Sequence, residues 1–96
     1  MLILITYDVD TTTKVGERRL RKVAKECVNY GQRVQNSVFE CLLSEAQFVQ
    51  LRAVLSSIID DSVDSIRFYF LGNNWQRRIE TLGRITSFDP TEALII

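Results

Sequence analysis

The first ten residues constrain this chain more than any other segment. An apolar run from Met1 to Ile5 leads through Thr6 and Tyr7 to Asp8. A short apolar run bounded by polar residues predicts a buried strand, here residues 2–9. Asp8 then lies where that strand leaves the core, and a carboxylate on a rigid strand end is well placed to hold a hard cation such as magnesium. The alternative is that Asp8 caps the following helix or joins a surface ion pair.

The composition indicates one small domain whose charge is balanced. The chain has 96 residues, 46% of them hydrophobic, and its twelve basic and twelve acidic residues give no net charge. Nucleic-acid binding would therefore depend on local clustering of charge. Nine of the basic residues are arginine, whose planar fork suits phosphate. A core this small is commonly supplemented by oligomerisation.

The chain has no histidine and only two cysteines, which removes several kinds of chemistry. Two cysteines cannot form the usual structural zinc site, and we expect Cys27 and Cys41 to be reduced core thiols. Without histidine there is no Ser-His or Cys-His nucleophile pair, so water activated by a metal is the expected nucleophile of any hydrolytic activity. No signal peptide or membrane span is indicated, and we expect a cytoplasmic protein.

The pattern of apolar residues predicts the order strand, helix, strand, strand, helix, strand. A first helix is predicted from a polar turn at residues 10–13 to about Tyr30, and Gly31 is a good stop. Residues 32–43 are predicted as extended chain that Asn36-Ser37 bends or divides. The buried stripe predicted for this helix consists of Leu20, Val23, Ala24, Cys27 and Val28.

The second half of the chain completes this order. Ser44 and Gln47 form a capping box before a second helix. Residues 66–71 alternate as a half-buried strand, and a weaker strand is predicted from Arg78 to Ile85. The fold class predicted is α+β, a ferredoxin-like βαββαβ domain over residues 1–96 with two helices on one face of an antiparallel sheet. Residues 86–96 would be a C-terminal extension.

The first helix carries a row of basic residues. Four of them fall within one narrow arc at 100° per residue: Lys14, Arg18, Arg21 and Lys25. This row, called the basic stripe below, would be exposed and could follow a nucleic-acid backbone. The alternative is a solvated helix face with local partners at Glu17 and Glu26.

Other candidate residues have simpler alternatives. Tyr7 and Phe39 could stack on a base, or they could pack in the core or at an interface. Arg77-Arg78 could contact phosphate or keep an edge strand soluble. Asp60, Asp61 and Asp64 lack the pattern of an EF-hand, so they are interpreted as a solvated turn that ends the second helix.

Three segments together resemble the CRISPR-associated protein 2 family. They are Ile5-Thr6-Tyr7-Asp8-Val9, Arg18-Arg19-Leu20-Arg21-Lys22-Val23, and residues 30–40, Tyr-Gly-Gln-Arg-Val-Gln-Asn-Ser-Val-Phe-Glu. The resemblance implies a ferredoxin-like homodimer in which Asp8 meets its symmetry mate and binds a divalent metal. It also implies nuclease activity on RNA or DNA in some members, and a bridging role between subunits of the CRISPR integrase in spacer acquisition. The family pattern falls on Tyr7, Asp8, Arg18, Arg33, Ser37 and Phe39.

Three functions are therefore considered. The first is a magnesium- or manganese-dependent endonuclease of CRISPR antiviral defence, in which Asp8 is the catalytic and metal-binding residue. Nucleic acid would be held by Tyr7, Lys14, Arg18, Arg21, Lys25, Arg33, Ser37 and Phe39. The second is a non-catalytic dimeric adaptor that uses the same basic surface to bridge integrase subunits. The third is a regulatory module for a small metabolite. We expect the apolar end Leu94-Ile95-Ile96 to pack on the second subunit. The alternatives are that it lies against its own chain or contacts a larger partner such as the integrase.

Overall fold

The computed structural model describes residues 1–72 and 78–84. The predicted strand end at Ile85, Arg77 and the extension 86–96 lie outside the described residues. The elements are β1 Leu2–Asp8, α1 Lys14–Val28, β2 Gly31–Gln35, β3 Val38–Leu42, α2 Glu45–Ile58, β4 Ser65–Phe70 and β5 Arg78–Gly83.

The strands form one antiparallel sheet in the order β2-β3-β1-β4-β5. The apolar β1 lies at its centre, where Ile5 is opposite Phe39 on one side and Phe68 on the other. The first four strands have the predicted ferredoxin-like arrangement, and β5 is added beside β4. An apolar strand is suited to this central position because it is flanked by strands on both sides and its inward residues Ile3 and Ile5 are fully buried.

Both helices cover one face of the sheet, and the core lies between these two layers. Alternate residues of β4 are buried there, as their period of two predicts. Phe48 of α2 meets Phe68 and Phe70 edge-on, with ring centroids 5.3 and 5.0 Å away. Cys27 and Cys41 are buried free thiols, which confirms that prediction.

The ends of the helices follow local signals in most respects. Thr13 caps α1 by accepting a hydrogen bond from the backbone of Gly16, and the predicted capping box of Ser44 and Gln47 is formed at α2. The predicted continuation of α1 to Tyr30 is wrong, since the helix ends at Val28. Val28 is 45% exposed, so its assignment to the buried stripe is also wrong.

The reason that α1 ends early is the start of β2. Gly31 pairs with Cys41 of β3, and a Cβ atom at Gly31 would lie 1.8 Å from the carbonyl oxygen of Glu40. This close approach requires glycine and fixes where the chain turns into the sheet. The predicted division of residues 32–43 at Asn36-Ser37 is confirmed, because β2 ends at Gln35 and β3 begins at Val38.

The second face of the sheet carries neither described helix. It presents the alternate side chains of each strand, many of them apolar, and we call it the open face. Leu2 is 42% exposed and Leu42 70% exposed on this face, whereas Leu4, Val38 and Tyr69 are half-buried. No helix in the described part of the chain is long and apolar enough to cross a membrane.

Candidate functional site

Asp8 is the last residue of β1, and its side chain is exposed. The backbone on both sides of it is held: Asp8 is paired with Ser65 of β4, and the amide of Tyr7 donates to the carbonyl of Ser37 at 2.8 Å. Because alternate residues point to opposite faces, buried Tyr7 places Asp8 on the open face. The predicted carboxylate is therefore fixed on a rigid strand end.

Asp8 lies in an open depression of about 310 Å³. The depression is lined by Thr6, Tyr7, Asp8, Ser65 and Arg67. A carboxylate that can hold a hard cation and a guanidinium that can pair with phosphate therefore line the same surface. Arg67 was not predicted from the sequence. Its alternation with buried Ile66 and Phe68 could have indicated which face of the sheet it lies on. No pattern in the sequence indicates the register that brings β4 beside Asp8.

A second depression, of about 450 Å³, separates α1 from the β2–β3 hairpin. It is lined by Val9, Thr11, Glu17, Leu20, Arg21, Arg33, Asn36 and Ser37. Three residues predicted to bind nucleic acid, Arg21, Arg33 and Ser37, are thus brought together. The Nε of Arg33 donates to the carbonyl of Asn36 at 2.7 Å, and its guanidinium lies 5.8 Å from the ring centroid of Phe39.

The basic stripe is exposed along its whole length, as its helical spacing predicts. All four of its members, Lys14, Arg18, Arg21 and Lys25, are exposed. Arg21 belongs both to the stripe and to the depression beside the hairpin. The stripe and this depression therefore form one continuous basic surface on the α1 side of the domain.

Tyr7 and Phe39 lie in the core, as the packing alternative expected. Tyr7 is 3% exposed and Phe39 is 0% exposed. The hydroxyl of Tyr7 donates to the carboxylate of Asp64, and burial is the largest cause that raises the pKa of this hydroxyl. In this conformation neither ring presents a free face to a nucleic acid.

Asp10 lies in the turn between β1 and α1. Its Oδ1 accepts hydrogen bonds from the backbone amide of Thr12 at 2.9 Å and from the Thr12 hydroxyl at 2.6 Å. These hydrogen bonds favour the charged carboxylate and lower the pKa of Asp10. Asp10 thus shapes the turn that follows Asp8.

The interpretation of Asp64 as part of a solvated turn is wrong. Asp60 and Asp61 are exposed, but Asp64 is 0% exposed and forms an ion pair with Arg19 at 2.7 Å. Neither Arg19 nor Asp64 was predicted from the sequence to have this role. Arg19 lies next to Arg18 of the stripe but faces the sheet. The position of Asp64 one residue before β4 was the only sequence signal that could have indicated its burial.

One chain does not supply a complete metal site among residues 1–72 and 78–84. No group of three His, Cys, Asp or Glu side chains in that part lies close enough to hold an ion. Asp8 offers hard oxygen ligands and is accessible, so it fits magnesium or manganese as one ligand among several. Further ligands would have to come from water, substrate or another copy of the chain.

The fold and this surface define a class: a small ferredoxin-like protein with a carboxylate at the end of its central strand and a basic first helix. A family model described as CRISPR associated protein Cas2 matches residues 1–79. The chain belongs to the Cas2 family, which confirms the resemblance found in its sequence.

Named relatives match the full chain. The CRISPR-associated endoribonuclease Cas2 of Chlorobaculum tepidum is 55% identical and is covered completely, as is this chain. The CRISPR-associated endonuclease Cas2 of Halalkalibacterium halodurans is 54% identical over 99% of both chains. The crystal structure of Streptococcus pyogenes Cas2 is 64% identical, with a TM-score of 0.75, and the match covers 86% of this chain and all of that one.

The turn that follows Asp8 yields a stability prediction. A Cβ atom at Gly16 would lie 1.8 Å from the carbonyl oxygen of Asp10, so Gly16→Ala must displace this turn or the start of α1. We expect the free energy of unfolding in urea to fall by about 1–3 kcal/mol. Val15→Ala, at an adjacent position that is 54% exposed, should change it by less than about 0.5 kcal/mol. Equal stabilities of the two variants would contradict the close contact.

Proposed function

We propose that this protein is a metal-dependent endonuclease that hydrolyses phosphodiester bonds of RNA or DNA in CRISPR adaptive immunity. The observation that carries the proposal is the accessible Asp8 at a rigid strand end, in one depression with Arg67. The relatives named endoribonuclease and endonuclease support the reaction class. The first name specifies RNA and the second specifies no substrate, so the proposal includes both RNA and DNA.

Asp8 is the residue that would hold magnesium or manganese. A bound cation of this kind would supply the Lewis acidity that activates water and neutralises charge on a phosphate. The pairing of Asp8 with Ser65 and the hydrogen bond from the preceding Tyr7 amide to Ser37 hold the backbone that carries this carboxylate, which limits reorganisation during the reaction. Arg67 would orient the phosphodiester within the same depression.

A homodimer would supply a second carboxylate for the cation, which one Asp8 cannot hold alone. In a two-fold dimer the same surface of each copy meets, so two Asp8 carboxylates near the axis can share one cation. The open face is suited to that contact because apolar Leu2, Leu4 and Leu42 lie on it, together with Asp8. Packing of two such faces would also enlarge the small core of a single chain.

The basic stripe and the neighbouring depression would hold the sugar-phosphate backbone. Contacts to phosphate position a nucleic acid without reading its sequence. Arg21 and Arg33 line the depression. The hydrogen bond from Arg33 to Asn36 already restricts the Arg33 side chain, so less conformational entropy is lost when a phosphate binds. Buried Phe39 would contribute indirectly, by supporting Arg33, whereas buried Tyr7 would support Asp8 and not the nucleic acid.

The first functional prediction concerns Asp8. Asp8→Asn keeps the shape of the side chain but removes its charge, so cleavage of RNA or DNA should fall by at least ~100-fold. Magnesium-dependent cleavage of labelled substrates, with a chelator arm, is the measurement. Asp61→Asn removes an exposed carboxylate of the α2–β4 turn and should have no effect. Undiminished cleavage by a folded Asp8→Asn protein would refute the proposed active site.

The second functional prediction concerns the basic stripe. Replacement of Arg18, Arg21 and Lys25 by alanine should weaken binding similarly for different sequences and reduce its salt dependence. On duplex DNA, the slope of log affinity against log salt should decrease by about 0.9 for each phosphate that the variant no longer neutralises. Binding isotherms at several salt concentrations measure this slope.

A matched pair of single variants tests whether position matters more than total charge. Arg21→Ala and Arg52→Ala each remove one positive charge, but Arg52 lies on α2 and is paired with Glu80 at 3.6 Å. Only Arg21→Ala should reduce the salt slope. Equal slopes for the two variants would mean that the stripe is a solvated helix face.

The third functional prediction concerns the dimer. Leu4 is central on the open face, so Leu4→Asp would bury an unpaired charge between two copies. The dissociation constant should rise by at least ~100-fold, as measured by sedimentation equilibrium. Val49→Asp, at a position on α2 that is 65% exposed, should leave the dimer intact. A Leu4→Asp protein that associates as tightly as the unmodified chain would exclude the open face as the interface.

The alternative function is a nucleic-acid-binding adaptor that bridges integrase subunits without catalysis. The observation that favours it is the lack of a three-ligand metal cluster in the described part of the chain. An adaptor would need the basic surface and the dimer but not the charge of Asp8. Binding that depends on the stripe, without cleavage of any substrate in magnesium or manganese, would support the adaptor.

A further inference from the structure

Asp64 is a fully buried carboxylate in a chain whose other described acidic residues are at least partly exposed. A buried charge is costly unless it is paired and hydrogen-bonded. Asp64 lies directly before β4 and therefore beside Ser65, the residue paired with Asp8. Its burial places a charge next to the strand end that carries the candidate site.

Four hydrogen bonds from three separate parts of the chain converge on the Asp64 carboxylate. Arg19 of α1 binds both oxygens, with Nε 2.7 Å from Oδ2 and a terminal nitrogen 3.2 Å from Oδ1. The Tyr7 hydroxyl donates to Oδ2 from β1, and the amide of Asp60 donates to Oδ2 at 3.1 Å. This side-chain cluster of Asp64, Arg19 and Tyr7 is called the buried triad.

The backbone of Asp64 joins a fourth element to the same point. Its carbonyl oxygen accepts a hydrogen bond from the amide of Arg84 at 2.7 Å. Gly83 has a φ of +89°, and a Cβ there would lie 2.3 Å from this oxygen. The end of β5 thus closes over Asp64 in a conformation that glycine permits.

We propose that Asp64, acting through Tyr7 and Arg19, is a positioning residue for the Asp8 carboxylate. This inference rests on the proposed function of Asp8 in binding a cation. Tyr7 and Asp8 are consecutive in β1, and their side chains point to opposite faces of the sheet. Asp64 therefore does not reach the substrate, but it fixes Tyr7, the neighbour whose position sets the direction of Asp8.

The buried triad fixes the positions of β1 and β4, the two strands that carry Asp8 and Ser65. Tyr7 is held on β1, and Asp64 leads directly into Ser65 on β4, so the paired residues Asp8 and Ser65 each follow a member of the triad. Groups that orient a metal ligand from behind commonly contribute 10–100-fold to affinity or activity. The triad provides this support from the core side of the sheet.

Cation binding by the full chain tests this inference without relying on turnover. Free Mn²⁺ is measured by electron paramagnetic resonance during titration of the protein. Tyr7→Phe removes one hydrogen bond to Asp64 and keeps the ring, so the affinity for Mn²⁺ should fall about 3–10-fold. Asp64→Asn should lower it by about 10–100-fold. Binding of nucleic acid in the presence of a chelator should be unchanged in both.

A double variant distinguishes a shared pathway from independent damage. If Asp64 acts on Asp8 through its hydrogen bond with Tyr7, Tyr7→Phe combined with Asp64→Asn should bind Mn²⁺ no more weakly than Asp64→Asn alone. Phe48→Leu removes packing from the core at α2, away from Asp8, and controls for reduced stability. It should leave Mn²⁺ affinity unchanged. If Asp64→Asn does not fold, the comparison of Tyr7→Phe with Phe48→Leu decides the question.

The outcomes separate this inference from the proposed function. If Asp8→Asn abolishes Mn²⁺ binding while Tyr7→Phe and Asp64→Asn bind normally, the role of the triad is refuted and that of Asp8 stands. An equal loss of affinity in Phe48→Leu would also refute the role of the triad. If Asp8→Asn binds Mn²⁺ as well as the unmodified chain, both proposals fail.

Discussion

The ion pair between Arg19 and the buried Asp64 is the interaction on which the arrangement of the other elements depends. It joins α1 to the chain that enters β4, and the Tyr7 hydroxyl adds β1 to the same carboxylate. Loss of either charged partner would leave an uncompensated charge in the protein, which commonly costs about 3–5 kcal/mol. An apolar core alone would hold these elements together, but it would specify their relative positions less narrowly.

The sheet separates two kinds of surface. The helices cover one face and present the basic stripe outward, whereas Asp8 and Arg67 lie on the open face. The hairpin tip, which supplies Ser37, borders the end of β1 and links the two regions. If a nucleic acid is held along α1 as we propose, it has to pass around this end of the sheet to reach Asp8.

The open face is the surface that we propose for a further contact. The helices cover one side of the sheet, and the other side exposes apolar Leu2 and Leu42. Exposed apolar patches commonly mark interfaces. Asp8 is on that surface, so association and completion of a cation site would be the same event. The proposed chemistry would then depend on the concentration of the protein as well as on the residues of one chain.

Much of the fold was determined by local sequence. The period of two in β4, the capping box at Ser44 and the break at Asn36-Ser37 each reflect backbone preferences within a few residues, and the exposure of the basic stripe follows from helical spacing. The tertiary structure alone decided the early end of α1 and the position of Arg67 beside Asp8, and it decided between base stacking and core packing for Tyr7. It also paired Arg19 with Asp64 across 45 residues of sequence. These features depend on strand register and on contacts between distant segments, and no local pattern of residue types encodes a partner that is brought near only by folding.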